Sequence, residues 1–349
     1  MLEKIFLSML VLVPITLLAE ALHVPASFLF FLSALAIVPL AKYIGEATEE
    51  LAVYTGPAVG GLLNATFGNA TELIISIFAL NAGLVEVVKA SITGSIIGNL
   101  LLVLGTSMFV GGWNKKKQEF NKTASMATGS TLLLAIIALV VPAIFTLTAP
   151  QVGNMVIEQL SIFVSVFMIV IYIASIFFTL VTHKHLYTEE VGKFEAKWSK
   201  AKSIIILIIA TLAVAWMSEI LVDSIEPIVK SFGWTQLFIG VVVIAIIGNA
   251  AEHTSAIMMA MKNKMDLAIQ VSVGSATQIV MFVAPVLVLS SIFFGHPMSL
   301  VFNIFELISI VLAVLIVNFV VEDGESNWLE GLQLMMAYAI IAVAFFFHP

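Results

Sequence analysis

The chain alternates between long apolar runs and short polar breaks. Eleven runs are long enough for helices that cross a hydrocarbon core of about 30 Å at about 1.5 Å per residue. They cover roughly residues 3–22, 26–45, 57–81, 84–112, 126–147, 155–182, 201–228, 235–262, 265–294, 299–321 and 327–348. His23-Val24-Pro25, Thr55-Gly56-Pro57, Ala149-Pro150 and His296-Pro297 mark the clearer breaks, since glycine and proline interrupt helices locally. The runs are continuously apolar rather than alternating, which predicts helices and not the strands of a closed barrel. Residues 5–19 follow Glu3 and Lys4 without a convincing small-x-small cleavage site, so they read as a retained first helix.

One stretch occurs twice in this pattern. Gly68-Asn69-Ala70-Thr71-Glu72 returns 180 residues later as Gly248-Asn249-Ala250-Ala251-Glu252. The spacing holds without a gap from Thr55/Thr235 to Val103/Val283, and Gly60/Gly240, Ala65/Ala245, Gly94/Gly274 and Ser95/Ser275 match within it. Matches at small and acidic positions inside greasy sequence indicate an internal duplication.

Lysine placement sets an orientation. With the N-terminus inside, all of the 15 basic residues except Lys89 and Lys230 fall on the inner side, a strong positive-inside bias. The C-terminus is then outside. The two copies begin in the third and eighth runs. Five runs is an odd number, so the halves are inverted relative to each other. The expected fold is an all-α polytopic membrane protein with eleven transmembrane helices, one extra N-terminal helix plus two inverted five-helix repeats. Its parts are the extra helix (1–25), the first repeat (26–182), a cytoplasmic linker (183–200) and the second repeat (201–349). Inverted repeats with a midplane site are a common plan for secondary transporters.

Composition sharpens the class. The chain is 61% hydrophobic and 11% charged, with mean hydropathy +1.12, more apolar surface than a soluble domain can hide. All its basic residues are lysine, which argues against nucleic-acid or phosphate recognition by bidentate guanidinium forks. It has no cysteine, hence no disulfide, iron–sulfur cluster or Cys-ligated zinc.

The chemistry concentrates on the repeated motif. Gly68, Asn69 and Glu72 share a helical face, extended by Ala65, Ser76 and Ala79; Gly248, Asn249 and Glu252 form its counterpart. Glycine here permits either close packing or local unwinding that frees carbonyls. A carboxylate at mid-membrane costs about 2.5–3.5 kcal/mol on insertion scales. Two facing carboxylates can relieve that cost by taking up protons or by sharing one divalent cation. These options compete for the same oxygens, which is the physical core of a cation/proton exchanger. An all-oxygen donor set of Glu72, Glu252, Asn69, Asn249, freed carbonyls and water suits a hard ion, calcium ahead of magnesium. His253 is read as a proton relay, a ligand, or a histidine bonded to a neighbouring helix. Ser95 and Ser275 are placed to orient the opposite carboxylate, or to back-bond within their helices. Asn99 and Gln278 follow on similar faces and line the path. Glu219, Glu306 and Glu330 are further embedded acids. Glu46 and Glu226 are repeat mates near helix ends, read as solvated turns or as cation-attracting mouths.

At these residues the chain resembles the calcium/proton antiporter family of the cation/calcium exchanger superfamily. The two Gly-Asn-Ala-x-Glu motifs, the second followed by His253, look like that family's alpha-repeats. The runs Ala260–Ala268 and Asp323–Gly331 resemble it too. The resemblance implies the 1+5+5 arrangement, calcium extrusion driven by inward protons, and a calcium-binding, proton-exchanging role for Glu72 and Glu252. Calcium is then the transported substrate, and no cofactor is expected. The expected partners are calcium, protons and the lipid of a prokaryotic cell membrane, with a homo-oligomer compatible. Relatives often carry a strongly acidic segment between the halves; here Glu189, Glu190 and Glu195 stand among lysines, so the resemblance stops short of that regulatory helix. A sodium/calcium exchanger is the nearest alternative reading and a cation channel a more distant one. An intramembrane enzyme lacks its His-Glu-x-x-His or Asp-rich signature.

Overall fold

A computed structural model gives the arrangement, with residues 2–182 and 196–348 described. Most of the 183–200 linker, and the side chain of Ala65, lie outside the described set. The helices run in order as α1 (Glu3–Ala21), α2 (Ala26–Gly56), α3 (Ala70–Asn81), α4 (Val85–Gly112), α5 (Lys122–Thr148), α6 (Asn154–Thr182), α7 (Lys200–Phe232), α8 (Gln236–Gly248), α9 (Ala250–Met261), α10 (Met265–Phe294), α11 (Ile304–Val320) and α12 (Trp328–Phe347). Among the described residues, eight of these are long and apolar enough to cross a membrane, and nine spans result if the bent pair α8–α9 is one. α3 and α11 are shorter apolar helices.

The observed helices follow the expected runs in outline, with two kinds of departure: the third and eighth runs, expected as continuous helices, are each broken inside the repeated motif, and polar residues obscure one helix end. The second run was expected to stop near residue 45, but α2 continues through Lys42, Glu46, Glu49 and Glu50. Lys42 and Glu46, one turn apart, form an ion pair that carries the helix through this polar stretch. The predicted break at Gly56-Pro57 is present. Gly56 takes φ 79° and ψ 172°, a conformation that glycine reaches without strain. Helical residues 57–67 follow the kink.

α4 is the most enclosed span, and its neighbours wrap it; Ile96, Ile97, Leu100, Leu101 and Leu104 are fully buried. The outer helices carry the exposed apolar side chains, among them Phe163 and Phe167 of α6 and Phe319 of α11, as expected of surfaces that meet lipid. At one end of the bundle a short antiparallel ladder joins β1 (Gln118–Glu119) to β2 (Glu325–Ser326). Lys117 bridges Glu119 at 2.8 Å and Glu325 at 2.6 Å. These hydrogen bonds push the Lys117 ammonium up and hold the Glu119 carboxyl below its ordinary value. Gln118 reaches the α9–α10 turn, donating to the carbonyl of Ala260 at 3.0 Å and to Asn263 Oδ1 at 3.1 Å. The ladder therefore ties the α4–α5 and α11–α12 connections together, and Gln118 fastens them to the α9–α10 turn.

Candidate functional site

Both copies of the motif fall on a helix break. Residues 57–67 end before Gly68, Asn69 leaves helical geometry at φ −102° and ψ 24°, and α3 restarts at Ala70. In the second copy α8 ends at Gly248, Asn249 takes φ −86° and ψ 17°, and α9 restarts at Ala250. The bend between α8 and α9 is 57°. The glycines themselves stay helical and the departure falls on the asparagine after each, so the continuous helical face expected for Gly68, Asn69 and Glu72 is interrupted at Asn69. Each glutamate sits in the first turn of its restarted helix, where the helix dipole favours negative charge.

The two halves interlock through amides and hydroxyls. Asn249 Nδ2 donates to Ser95 Oγ at 2.9 Å, and Ser275 Oγ donates to Asn69 Oδ1 at 3.0 Å. The two pairs are counterparts under the 180-residue shift, with the asparagine donating in one and accepting in the other. Asn69 Nδ2 donates to Gln278 Oε1 at 2.6 Å. Asn99 Nδ2 donates to Asn249 Oδ1 at 2.7 Å and to Ser275 Oγ at 3.0 Å. The serines were expected to orient the opposite carboxylate or to back-bond; they hold the opposite asparagine instead, because Asn69 and Asn249 project from the breaks and reach them first. The helices that supply these partners carry π-helical turns over Gly98–Val103 and Ile279–Val283, again 180 residues apart. Such wide turns are frequent at functional sites.

The carboxylates lie inside this amide frame. Glu72 is 5% exposed and Glu252 8%. Both side-chain oxygens of Glu72, Oε2 of Glu252 and Oδ1 of Asn99 are buried without a hydrogen-bond partner among the described residues. Buried oxygens in that state are rare and costly, so they are competent to receive a proton or a cation. Gly248 is required here: a Cβ on it would stand 2.9 Å from Glu72 Cγ. Glu72 thus reaches across to the break of the other half. Gly68, Gln278 and His253 are half-buried, and His253 Nε2 has no partner. Among the described residues no group of three or more His, Cys, Asp or Glu converges on a metal position. The donor set here is carboxylate, amide and hydroxyl.

The other embedded acids have local explanations. Glu306 Oε2 accepts from the Asn303 backbone N–H at 3.0 Å in a capping box, and its Oε1 accepts from Thr93 at 3.0 Å. Glu330 caps α12 with Asn327 in the same way. Glu219 is exposed on α7. The signal for the two caps was present as Asn-x-x-Glu ahead of an apolar run.

The frame is tight on one side only. A Cβ on Gly94 would meet the Val241 carbonyl at 2.1 Å, and one on Gly240 would meet Ala90 Cβ at 2.4 Å, so α4 and the first half of the bent pair press together. The repeat counterparts are apart. A Cβ on Gly274 would meet nothing within 4 Å, and Gly60, the counterpart of Gly240, faces Ala52 of α2 at 2.7 Å instead of α10. Asn64 and Gln270 are exposed on this side and Gly274 and Gln278 half-buried. Their counterparts on the tight side include Ile244, 2% exposed, and Ala90, fully buried.

Comparison with known proteins is consistent with this geometry. The family described as sodium/calcium exchanger protein matches residues 25–181 and 202–347. The Ca2+/H+ antiporter ChaA of Bacillus subtilis (strain 168) is 49% identical over 342 residues, 96% of each chain. A Ca2+/H+ antiporter of Synechocystis is 48% identical over 365 residues, 99% of this chain and 98% of that one. The solved structure of native YfkE superposes with TM-score 0.88 at 45% identity, covering 98% of this chain and all of the other. An H+/Ca2+ exchanger CAX structure at 16% identity and TM-score 0.70 shares the fold.

Proposed function

The chain belongs to the sodium/calcium exchanger protein family, and on that premise we propose that it is a calcium/proton antiporter working by alternating access at Glu72 and Glu252. The observation that carries this reading is the set of unpartnered buried oxygens on two carboxylates, brought together from two halves of one duplicated sequence. Protons satisfy them one by one; a divalent cation satisfies them together, with Asn99 Oδ1 as an amide ligand. Binding of either excludes the other, which makes the two fluxes obligatorily linked. Asn69 and Asn249, fixed by Ser275 and Ser95, hold the breaks so that the carboxylates stay opposed. Gln278, Gly68 and Gly248 shape the approach, and His253 beside Glu252 is a candidate proton carrier.

The membrane arrangement follows the same reading. The eight long helices, the bent pair, α11, and α3 joined to residues 57–67 make eleven spans. The first stands alone and the rest form two inverted sets of five. With the lysine-rich ends cytoplasmic, the N-terminus is inside and the C-terminus outside. The loose side, at Asn64 and Gln270, then faces the cytoplasm, and the pressed Gly94–Gly240 crossing faces outward. The structure is therefore read as cytoplasm-open.

Calcium-45 uptake into everted membrane vesicles tests the function. An acid interior should drive uptake that collapses with a protonophore. Uptake that follows an imposed sodium gradient and ignores the proton gradient would overturn the proton assignment in favour of sodium/calcium exchange.

A further inference from the structure

α2 carries three glutamates near its C-terminal end, and the structure gives them different fates. Glu46 pairs with Lys42. Glu50 Oε2 accepts from the backbone N–H groups of Lys197 and Trp198 at 2.8 and 3.1 Å. Glu49 is exposed and takes part in no hydrogen bond or ion pair among the described residues, with Glu46, Glu50, Lys197 and Lys42 as the charges around it.

The helix fixes where Glu49 points. Gly45, one turn earlier, faces α9, with Ala251 Cβ 3.7 Å from the place of a Gly45 Cβ. Ala52, nearly one turn later, lies 2.7 Å from the place of a Gly60 Cβ. Positions 45, 49 and 52 share one helical face. Glu49 therefore stands between α9 and residues 57–67, roughly 6 Å along the helix from the level of Ala251 and Glu252. That is the loose side of the frame, where Asn64 and Gln270 are exposed. The repeat counterpart of Glu49 on the pressed side is Val229, half-buried. One route to the carboxylate pair passes a free negative charge, and the other passes an apolar side chain at the same level.

We propose that Glu49 is a one-sided recruiting residue that gathers a hydrated divalent cation at the cytoplasmic mouth and delivers it to Glu252. The inference rests on the calcium-exchange reading and its orientation. A carboxylate in a cleft with low-dielectric walls concentrates cations locally. Glu49 is in no ion pair that a cation must displace, Lys42 and Lys197 acting on it only from a distance, whereas Glu46 is paired. A residue of this kind acts on capture from one side and leaves the exchange step alone.

Transport kinetics in everted vesicles, whose cytoplasmic face is outward, provide the test. Glu49→Gln should raise the KM for calcium about three- to tenfold with Vmax retained, and added potassium chloride should shrink the difference. Right-side-out vesicles should show no change in KM for calcium presented from outside. Glu226→Gln, at the opposite helix end and paired with Lys230 at 3.4 Å, should leave both unchanged. The absence of cysteine allows a charge-rescue variant without background. Glu49→Cys treated with an anionic methanethiosulfonate should recover a low KM, and treatment with a cationic one should raise KM further. An unchanged KM in Glu49→Gln overturns the proposal, as does a loss of Vmax at constant KM or equal effects of the two reagents. If the unaltered protein takes up no calcium, the exchanger reading fails as well; normal uptake with an unchanged variant KM defeats this inference alone.

Discussion

Two crossings in this molecule are built from the same duplicated sequence and have different structures. At Gly94 and Gly240 the backbones press so closely that a single methyl would collide. At Gly274 and Gly60 the equivalent surfaces have parted, and residues 57–67 lean on α6 through Gly61 and Leu180. Val59 is 51% exposed where its counterpart Ile239 is fully buried. Here the Gly94–Gly240 crossing is closed and its counterpart is open. Under the alternating-access proposal either crossing closes in turn, and small residues at both places allow that close packing.

The comparison presupposes that both crossings serve the carboxylate pair, so the largest effect is expected there. Glu72→Gln and Glu252→Gln should each reduce calcium-45 uptake to background at normal membrane abundance, since an amide neither carries the proton nor supplies the charge. Near-normal transport in either variant would detach the two crossings from the site. Next come the glycines. Gly94→Ala should destabilise the protein by about 1–3 kcal/mol through overpacking, read as a lower midpoint in detergent thermal melts. Gly274→Ala has room in this conformation, so its melting should stay near that of the unaltered protein while transport falls, because the second crossing can no longer close. Equal melting losses in both variants would show that the two sides do not differ in packing. The smallest effect concerns the mirrored hydrogen bonds. Ser95→Ala removes one contact and Ser275→Ala removes two, each worth about 0.6–1.7 kcal/mol in membrane helices. Ser275→Ala should therefore shift calcium KM more than Ser95→Ala, and the reverse order would break the assigned pairing.

Much of this was legible from the residues. Apolar length outlined the helices, and the repeated Gly-Asn-Ala-x-Glu singled out both carboxylates, but the breaks within it were not placed, since it was read as one continuous helical face. The end of α2 was not legible, because a Lys42–Glu46 pair hides a helix inside polar sequence. The partners of Ser95 and Ser275 were not legible either. Spacing puts a hydroxyl near the opposite half, and only the departure of Asn69 and Asn249 from helical geometry decides that an amide meets it. Glu306 and Glu330 looked like embedded charges because hydropathy does not distinguish a mid-membrane acid from one that caps a helix end. The asymmetry between crossings has a trace in the sequence, because Asn64, Gln270 and Gln278 stand on the loose side where Ile244, Ala90 and Gly98 stand on the tight one, but the shared glycines gave no sign of which crossing is closed.

The paired bonds Asn249–Ser95 and Asn69–Ser275 have one more property. Exchanging the roles of the two halves converts each residue pair into the other and reverses the donor, since Asn249 gives a hydrogen to Ser95 whereas Asn69 takes one from Ser275. Under the alternating-access proposal the pairs act as an axle: the same residues stay together whichever crossing shuts, and only their hydrogens reorient. The bonds from Asn69 to Gln278 and from Asn99 to Asn249 have no such images, because Gly98 and Ile279 occupy the matching positions. Under the same proposal they are latches, made in this arrangement and without equivalents in the other.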